Sequence, residues 1–225
     1  AVRQFGLAGL NVDVEMYHGN AADFTAFVRT IRMHASKSSI PFRLSVDISV
    51  FAATHPGASY HLPDLAALAD HLILMAYDMS YWNPGVPKVA VPGAPLNQVR
   101  GILKGLLDPS FAQHVPAEKL VLGVPWYGYL YPCNTSSPYL SPCRAKGPFP
   151  GKQLSYAEAA KLKANATAIQ WDNVSSTPRF DIVDANNERE AVLYEDVRST
   201  AAKYAAAAEM GLRGVAIWTP NVDYL

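Results

Sequence analysis

No apolar run in this chain approaches the roughly 20 residues a membrane helix needs. The longest, around residues 72–76 and 120–124, have strand length, so no membrane partner is expected. An excess of either charge is also missing: 19 Lys and Arg stand against 19 Asp and Glu. That balance removes the electrostatic reason to expect nucleic acid or an acidic surface as partner, and it suits a neutral ligand such as a sugar. Cysteine is scarce, with only Cys133 and Cys143. They are either two unrelated thiols or a disulfide closing a loop rich in Pro, Ser and Asn, and the disulfide is the expectation. No His pair flanks them at ligand spacing, so zinc is not expected, nor any other metal or cofactor. An initiator Met and a signal peptide are lacking, so Ala1 is expected to begin a processed chain or a fragment.

What is present is a globular composition, 50% hydrophobic and 17% charged, long enough at 225 residues for one sizeable core or two small ones. Asn134, Asn165 and Asn173 each open an Asn-X-Ser/Thr sequon. With a disulfide they favour a secreted or lysosomal glycoprotein.

Five short strand patterns, residues 9–15, 43–50, 71–78, 119–126 and 214–218, alternate with helical spacing over residues 21–36, 64–69, 96–107, 156–164 and 197–210. Such alternation predicts an α/β fold with a parallel sheet. Two connections rich in Pro and Gly, residues 79–95 and 128–155, are long enough to expect function in them. No linker divides the chain.

The first strand pattern carries the chemistry. Period two sends Leu10, Val12 and Val14 to one face and Asn11, Asp13 and Glu15 to the other. Parallel strands are normally apolar on both faces. The two carboxyls repel, so at least one should hold its proton to higher pH than usual, as a general acid requires. A solvated edge strand is the plain alternative. The second pattern, Leu44-Ser45-Val46-Asp47-Ile48-Ser49-Val50, repeats the alternation. Asp47 is equally readable as structural or catalytic.

The segment Gly9-Leu10-Asn11-Val12-Asp13-Val14-Glu15 resembles the Asp-x-x-Asp-x-Asp-x-Glu signature of family 18 glycoside hydrolases. Asn11 stands for the second Asp of that signature and Ala8 for the first. Met75-Ala76-Tyr77-Asp78, Val124-Pro125-Trp126-Tyr127-Gly128-Tyr129, Trp171-Asp172, Tyr194-Glu195-Asp196 and Gly214–Trp218 resemble later segments of the family, in order, closest to its chitobiase branch. The Cys133 and Cys143 pair also has a counterpart there.

The resemblance implies a (β/α)8 TIM barrel. Residues 1–225 would form the C-terminal part of a single catalytic barrel, strands four to eight of the eight, without strands one to three and the closing helix. It implies a monomeric retaining glycosidase cleaving β-1,4-linked N-acetylglucosamine in chitobiose, chitin oligomers or the N-glycan core, with the substrate's 2-acetamido group as nucleophile. Glu15 would be the acid and base, Asp13 the acceptor of the acetamido N–H, and Tyr77 a donor to the acetamido oxygen. Asn11, Met75, Asp78, Trp126 and Tyr127 would line the substrate site over a Trp218 floor. Because Asn11 cannot share a proton as an aspartate would, it is expected to donate its amide to Asp13 and keep that carboxylate ionised. The alternatives are an endochitinase on longer chitin and a non-catalytic sugar-binding protein.

Overall fold

The computed structural model describes residues 2–15, 19–37, 41–51, 60–79, 89–133, 143, 152–166 and 168–220. The chain divides into two compact units. The first comprises Ala1–Met75, Gly101–Gly123 and Ala207–Ala216; the second comprises Ala76–Arg100, Val124–Ala206 and Ile217–Leu225.

After a single helical turn, α1 (Val2–Phe5), the first unit follows the predicted alternation: β1 (Gly9–Val12), α2 (Ala21–Ser36), β2 (Arg43–Ser49), α3 (Leu62–Leu68), β3 (His71–Met75), α4 (Leu96–Leu107), β4 (Leu120–Pro125) and, late in the chain, β10 (Gly214–Trp218). The strands lie in the order β1-β2-β3-β4-β10, and the first four pair in parallel. Register aligns Val46, Leu72 and Leu120 in one row and Ile48, Leu74 and Leu122 in the next. All six are fully buried. Around them the same unit buries Phe24 and Val28 of α2 and Leu62 and Leu65 of α3. Removing such side chains from water is the main term stabilising the unit. Gly9 permits the β1–β2 pairing, since a Cβ there would overlap the Arg43 carbonyl.

β1 is shorter than the spacing predicts, because pairing with β2 stops at Val12. It is also an edge strand: Leu10 and Val14 are 43% and 38% exposed, while Val12 between them is buried.

The second unit holds a sheet the alternation did not predict. Its strands are β5 (Tyr127–Pro132), β6 (Gln153–Ser155), β7 (Ala168–Asp172), β8 (Thr177–Val183) and β9 (Arg189–Tyr194), in the order β6-β5-β9-β8-β7, with α5 (Tyr156–Lys163) after β6 and α6 (Val197–Glu209) after β9. Residues 128–155 are therefore not one connection: both ends are paired strand. One face of this sheet buries Leu154, Phe180, Ile182, Val192 and Tyr194 with Ala159 of α5. The other buries Tyr127, Tyr129, Tyr131 and the Cys133–Cys143 disulfide with Ala191 and Leu193. Gly128 lets β5 approach β9, because a Cβ would overlap Tyr194 and the Leu193 carbonyl. Its buried charges are paired, as burial demands: Asp181 with Arg179 and Arg189, and Glu195 with Lys203 at 2.6 Å.

Candidate active site

In the first unit the register sets Asn11 beside Ser45 and Ser45 beside His71, on the sheet face opposite the buried rows. The Asn11 Nδ2 group donates to Ser45 Oγ at 2.9 Å and to Asp47 Oδ1 at 2.8 Å. Asn11 therefore serves Asp47, not Asp13: the amide reaches across the ladder to the neighbouring strand, where register places an acceptor, instead of along its own strand. Past the last ladder pair, the chain carrying Asp13 and Glu15 is tied by Tyr60, whose hydroxyl donates to the Val14 carbonyl at 2.7 Å. The Tyr60 ring is buried edge-on against Phe24, centroids 5.1 Å apart.

The electrostatics follow from three neighbouring carboxyls, those of Asp13, Glu15 and Asp47. Desolvation by surrounding protein, then the charge of Glu15, raise the Asp13 carboxyl above its ordinary range. Burial raises Asp47 as well; the Asn11 bond partly offsets this, and Asp13 and Glu15 add to it. A raised carboxyl beside Glu15 is what the spacing of the motif predicts.

The second unit contributes a different cluster. Asp78, three residues past β3, has φ 55°, a left-handed conformation that Asp tolerates better than most side chains. Its Oδ1 accepts from the Tyr127 hydroxyl at 2.6 Å and the Tyr129 hydroxyl at 2.5 Å. Burial, then the Asp78 charge, push the Tyr127 phenol far above its usual range, so it stays a donor. The Tyr77 ring packs edge-on to Tyr127, centroids 6.4 Å apart. Gly93 lies against the Tyr129 ring, and its carbonyl accepts from the Met79 amide. Tyr129 was not among the expected site residues. Its period-two spacing from Tyr127 was visible, but its partner lies 51 positions away.

Met75 ends β3 and is buried. Trp126 and Trp218 are adjacent through a 2.8 Å bond from the Trp126 amide to the Trp218 carbonyl, and the Trp218 side chain is 52% exposed. Trp126 lines a groove of about 450 Å³ with Tyr156, Glu195, Val197 and Tyr204, and no other expected site residue lines it among those described. Trp171 borders a second hollow of about 460 Å³ and carries the Arg198 guanidinium 3.8 Å above its ring. Asn165 and Asn173 are exposed; Asn134 and the central part of the 79–95 connection lie outside the described residues.

Residues 1–223 match the model of the Glycosyl hydrolases family 18. The chain is 30% identical to the Cortical fragment-lytic enzyme of Bacillus subtilis (strain 168), over 99% of this chain and 48% of that protein. It is 27% identical to the Di-N-acetylchitobiase of Rattus norvegicus, over 96% of this chain and 61% of that protein. Among solved structures it resembles a chitinase from Chromobacterium violaceum, with TM-score 0.75, 26% identity, and coverage of 96% of this chain and 62% of that one. The spore cortex-lytic enzyme SleL of Bacillus cereus superposes with TM-score 0.74 at 21% identity, covering 96% of this chain and 46% of that one. The chain thus spans about half to three fifths of these relatives. The fold is α/β and TIM-barrel-like.

Proposed function

Because this chain belongs to glycosyl hydrolases family 18, we propose that it carries the acid-bearing strand of a retaining glycosidase acting on β-1,4-linked N-acetylglucosamine. The observation that supports this reading is the group of carboxyls at the end of β1: Asn11 is bonded across to Asp47, and Asp47 feels the charges of Asp13 and Glu15.

Asp13 and Glu15 sit two residues apart on one stretch of chain just past β1, a poor arrangement for straddling a sugar ring as an acid and nucleophile pair must. The nucleophile is then the substrate's 2-acetamido oxygen. Glu15 gives its proton to the glycosidic oxygen as the acetamido oxygen bonds to C1 and the leaving sugar departs. The resulting oxazolinium is opened by water, whose proton Glu15 takes. Asp13 accepts the acetamido N–H and offsets the developing positive charge, and Tyr77 donates to the acetamido oxygen. Fixing an internal nucleophile in this way replaces a bimolecular encounter. Met75, Asp78, Trp126 and Tyr127 contact the sugar and Trp218 stacks under it.

In this reading the five strands correspond to strands four to eight of the barrel, within one catalytic domain. The substrates are chitobiose, chitin oligomers or the N-glycan core, hydrolysed by a monomer. The disulfide and exposed sequons support a secreted or lysosomal setting. The test is hydrolysis of a chromogenic chitobioside. Glu15→Gln is expected to lower kcat by at least about 100-fold, the usual contribution of a general acid, with an unchanged circular dichroism spectrum. Activity that survives the substitution overturns the assignment. Rates on chitobiose against longer chitin oligomers separate this activity from an endochitinase.

A further inference from the structure

Tyr127 and Tyr129 stand two residues apart on β5, so both project from one face of the second sheet. Both are buried, with their rings edge-on at 88° and centroids 5.8 Å apart. Their hydroxyls converge on a single oxygen, Asp78 Oδ1, at 2.6 Å and 2.5 Å. Among the described residues no hydrogen bond engages the other oxygen, Oδ2, and Asp78 itself is only half-buried. The terminal torsion of an aspartate is broad and roughly two-fold. One donor would let the carboxylate swing about that bond; a second, arriving from the next position along the same face, removes the freedom.

We propose that Tyr129 is a positioning residue of the candidate site: it shares Asp78 Oδ1 with Tyr127 and so turns Oδ2 outward as the acceptor for a hydroxyl or N–H of the bound sugar. Tyr129 acts through Asp78 and does not itself touch the sugar. The inference rests on the sugar contact proposed above for Asp78.

The bracing of Tyr129 supports this role. Residues 91–93 lie against its ring, where a Cβ on Gly93 would come within 3.2 Å of Tyr129 Cε2. The same segment is pinned on both sides. The Gly93 carbonyl accepts from the amide of Met79, the neighbour of Asp78, at 2.9 Å, and the Val91 carbonyl accepts from the Tyr131 hydroxyl at 2.8 Å. The Tyr131 ring stands 6.2 Å from that of Tyr129, centroid to centroid. The ring that holds Asp78 is therefore locked by packing, as a side chain that presets a site must be. A phenol that merely needed an acceptor in the core would not require a half-exposed carboxylate held at φ 55°.

The test is steady-state kinetics on a chromogenic chitobioside with Tyr129→Phe, Asp78→Asn and the double variant. Tyr129→Phe should raise KM about tenfold and leave kcat within about twofold, the pattern of a lost binding contact. Asp78→Asn puts a donor where Oδ2 accepts, so adding Tyr129→Phe to it should raise KM by less than about twofold further. A normal KM in Tyr129→Phe, with only a lower melting temperature, makes the residue plain core and overturns the inference. Effects that multiply in full in the double variant overturn it as well. If Tyr129→Phe does not fold, Gly93→Ala decides: its methyl presses the same ring and should raise KM, and an unchanged KM overturns the inference. Failure of the glycosidase reading looks different, as absent turnover by the unaltered chain or turnover that survives Glu15→Gln. Without turnover the clamp is decided by proton NMR: an exchange-protected tyrosine hydroxyl signal that Tyr129→Phe removes supports it, and no such signal overturns it.

Discussion

A single carboxylate organises the second unit's tyrosines. Asp78 accepts from both Tyr127 and Tyr129, and Tyr127 is buried with its ionisation strongly disfavoured. Tyr127→Phe keeps the ring and deletes one donor to a charged acceptor, a bond worth about 1.5–3 kcal/mol. Urea unfolding at pH 7 should show a loss in that range, and a loss below about 0.5 kcal/mol would mean that solvent or Tyr129 replaces the donor. This pairing could not be read from the sequence, since Asp78 and Tyr127 lie 49 positions apart. By contrast, the side of β1 on which Asn11 lies was legible, because period two is a local property of an extended chain. The target of Asn11 was misread for the same reason. Local spacing offers Asp13, while the bond that forms depends on which residue of β2 lies alongside, and register is not written in either strand alone.

Elements were legible where one period persisted. α2, α4 and β10 have the expected limits, and the other predicted elements differ at their ends by one to three residues. The antiparallel sheet was missed because Gly128, Pro132 and Pro178 sit inside its strands, where such residues ordinarily signal a turn. The start of α6 has a visible cause: the Ser199 amide donates to Asp196 Oδ1 at 2.9 Å and the Asp196 amide to Ser199 Oγ at 2.8 Å, a reciprocal cap. Just before it, at the end of β9, Glu195 is buried against Lys203 one turn further along the helix than Ser199. Burial raises the Glu195 carboxyl, and the Lys203 charge opposes that rise. Lys203→Met leaves the carboxyl buried without its cation and should cost about 3–5 kcal/mol, measured by thermal or urea unfolding. Because Glu195 then stays protonated to higher pH than before, the penalty should grow as pH rises through its raised folded value and shrink toward acid. Adding Glu195→Leu should recover most of the loss, and failure to recover would assign the cost to packing around the lysine stem.

At the scale of the whole molecule, stability can be probed through the one covalent cross-link among the described residues. Cys133 and Cys143 are both fully buried, packed among Tyr129, Tyr131 and Ala191, with the Cys133 amide bonded to the Arg189 carbonyl and the Cys143 carbonyl accepting from Ala90. A reductant must meet the sulfur directly, so a buried disulfide is attacked only after the surrounding structure opens. In native buffer with excess dithiothreitol, alkylation followed by mass measurement should find no labelled thiol on the timescale of minutes. Labelling should appear as urea carries the chain through its unfolding transition. The bond closes a short loop, 10 positions apart, for which the chain-entropy model gives about 3 kcal/mol of stabilisation. The paired change Cys133→Ser and Cys143→Ser should accordingly move the urea midpoint down by a comparable free energy. Rapid labelling without denaturant would instead show that this face of the second sheet opens independently of global unfolding. The serine variant should then lose less than the estimate, because the cross-link would constrain a segment already free to leave the core.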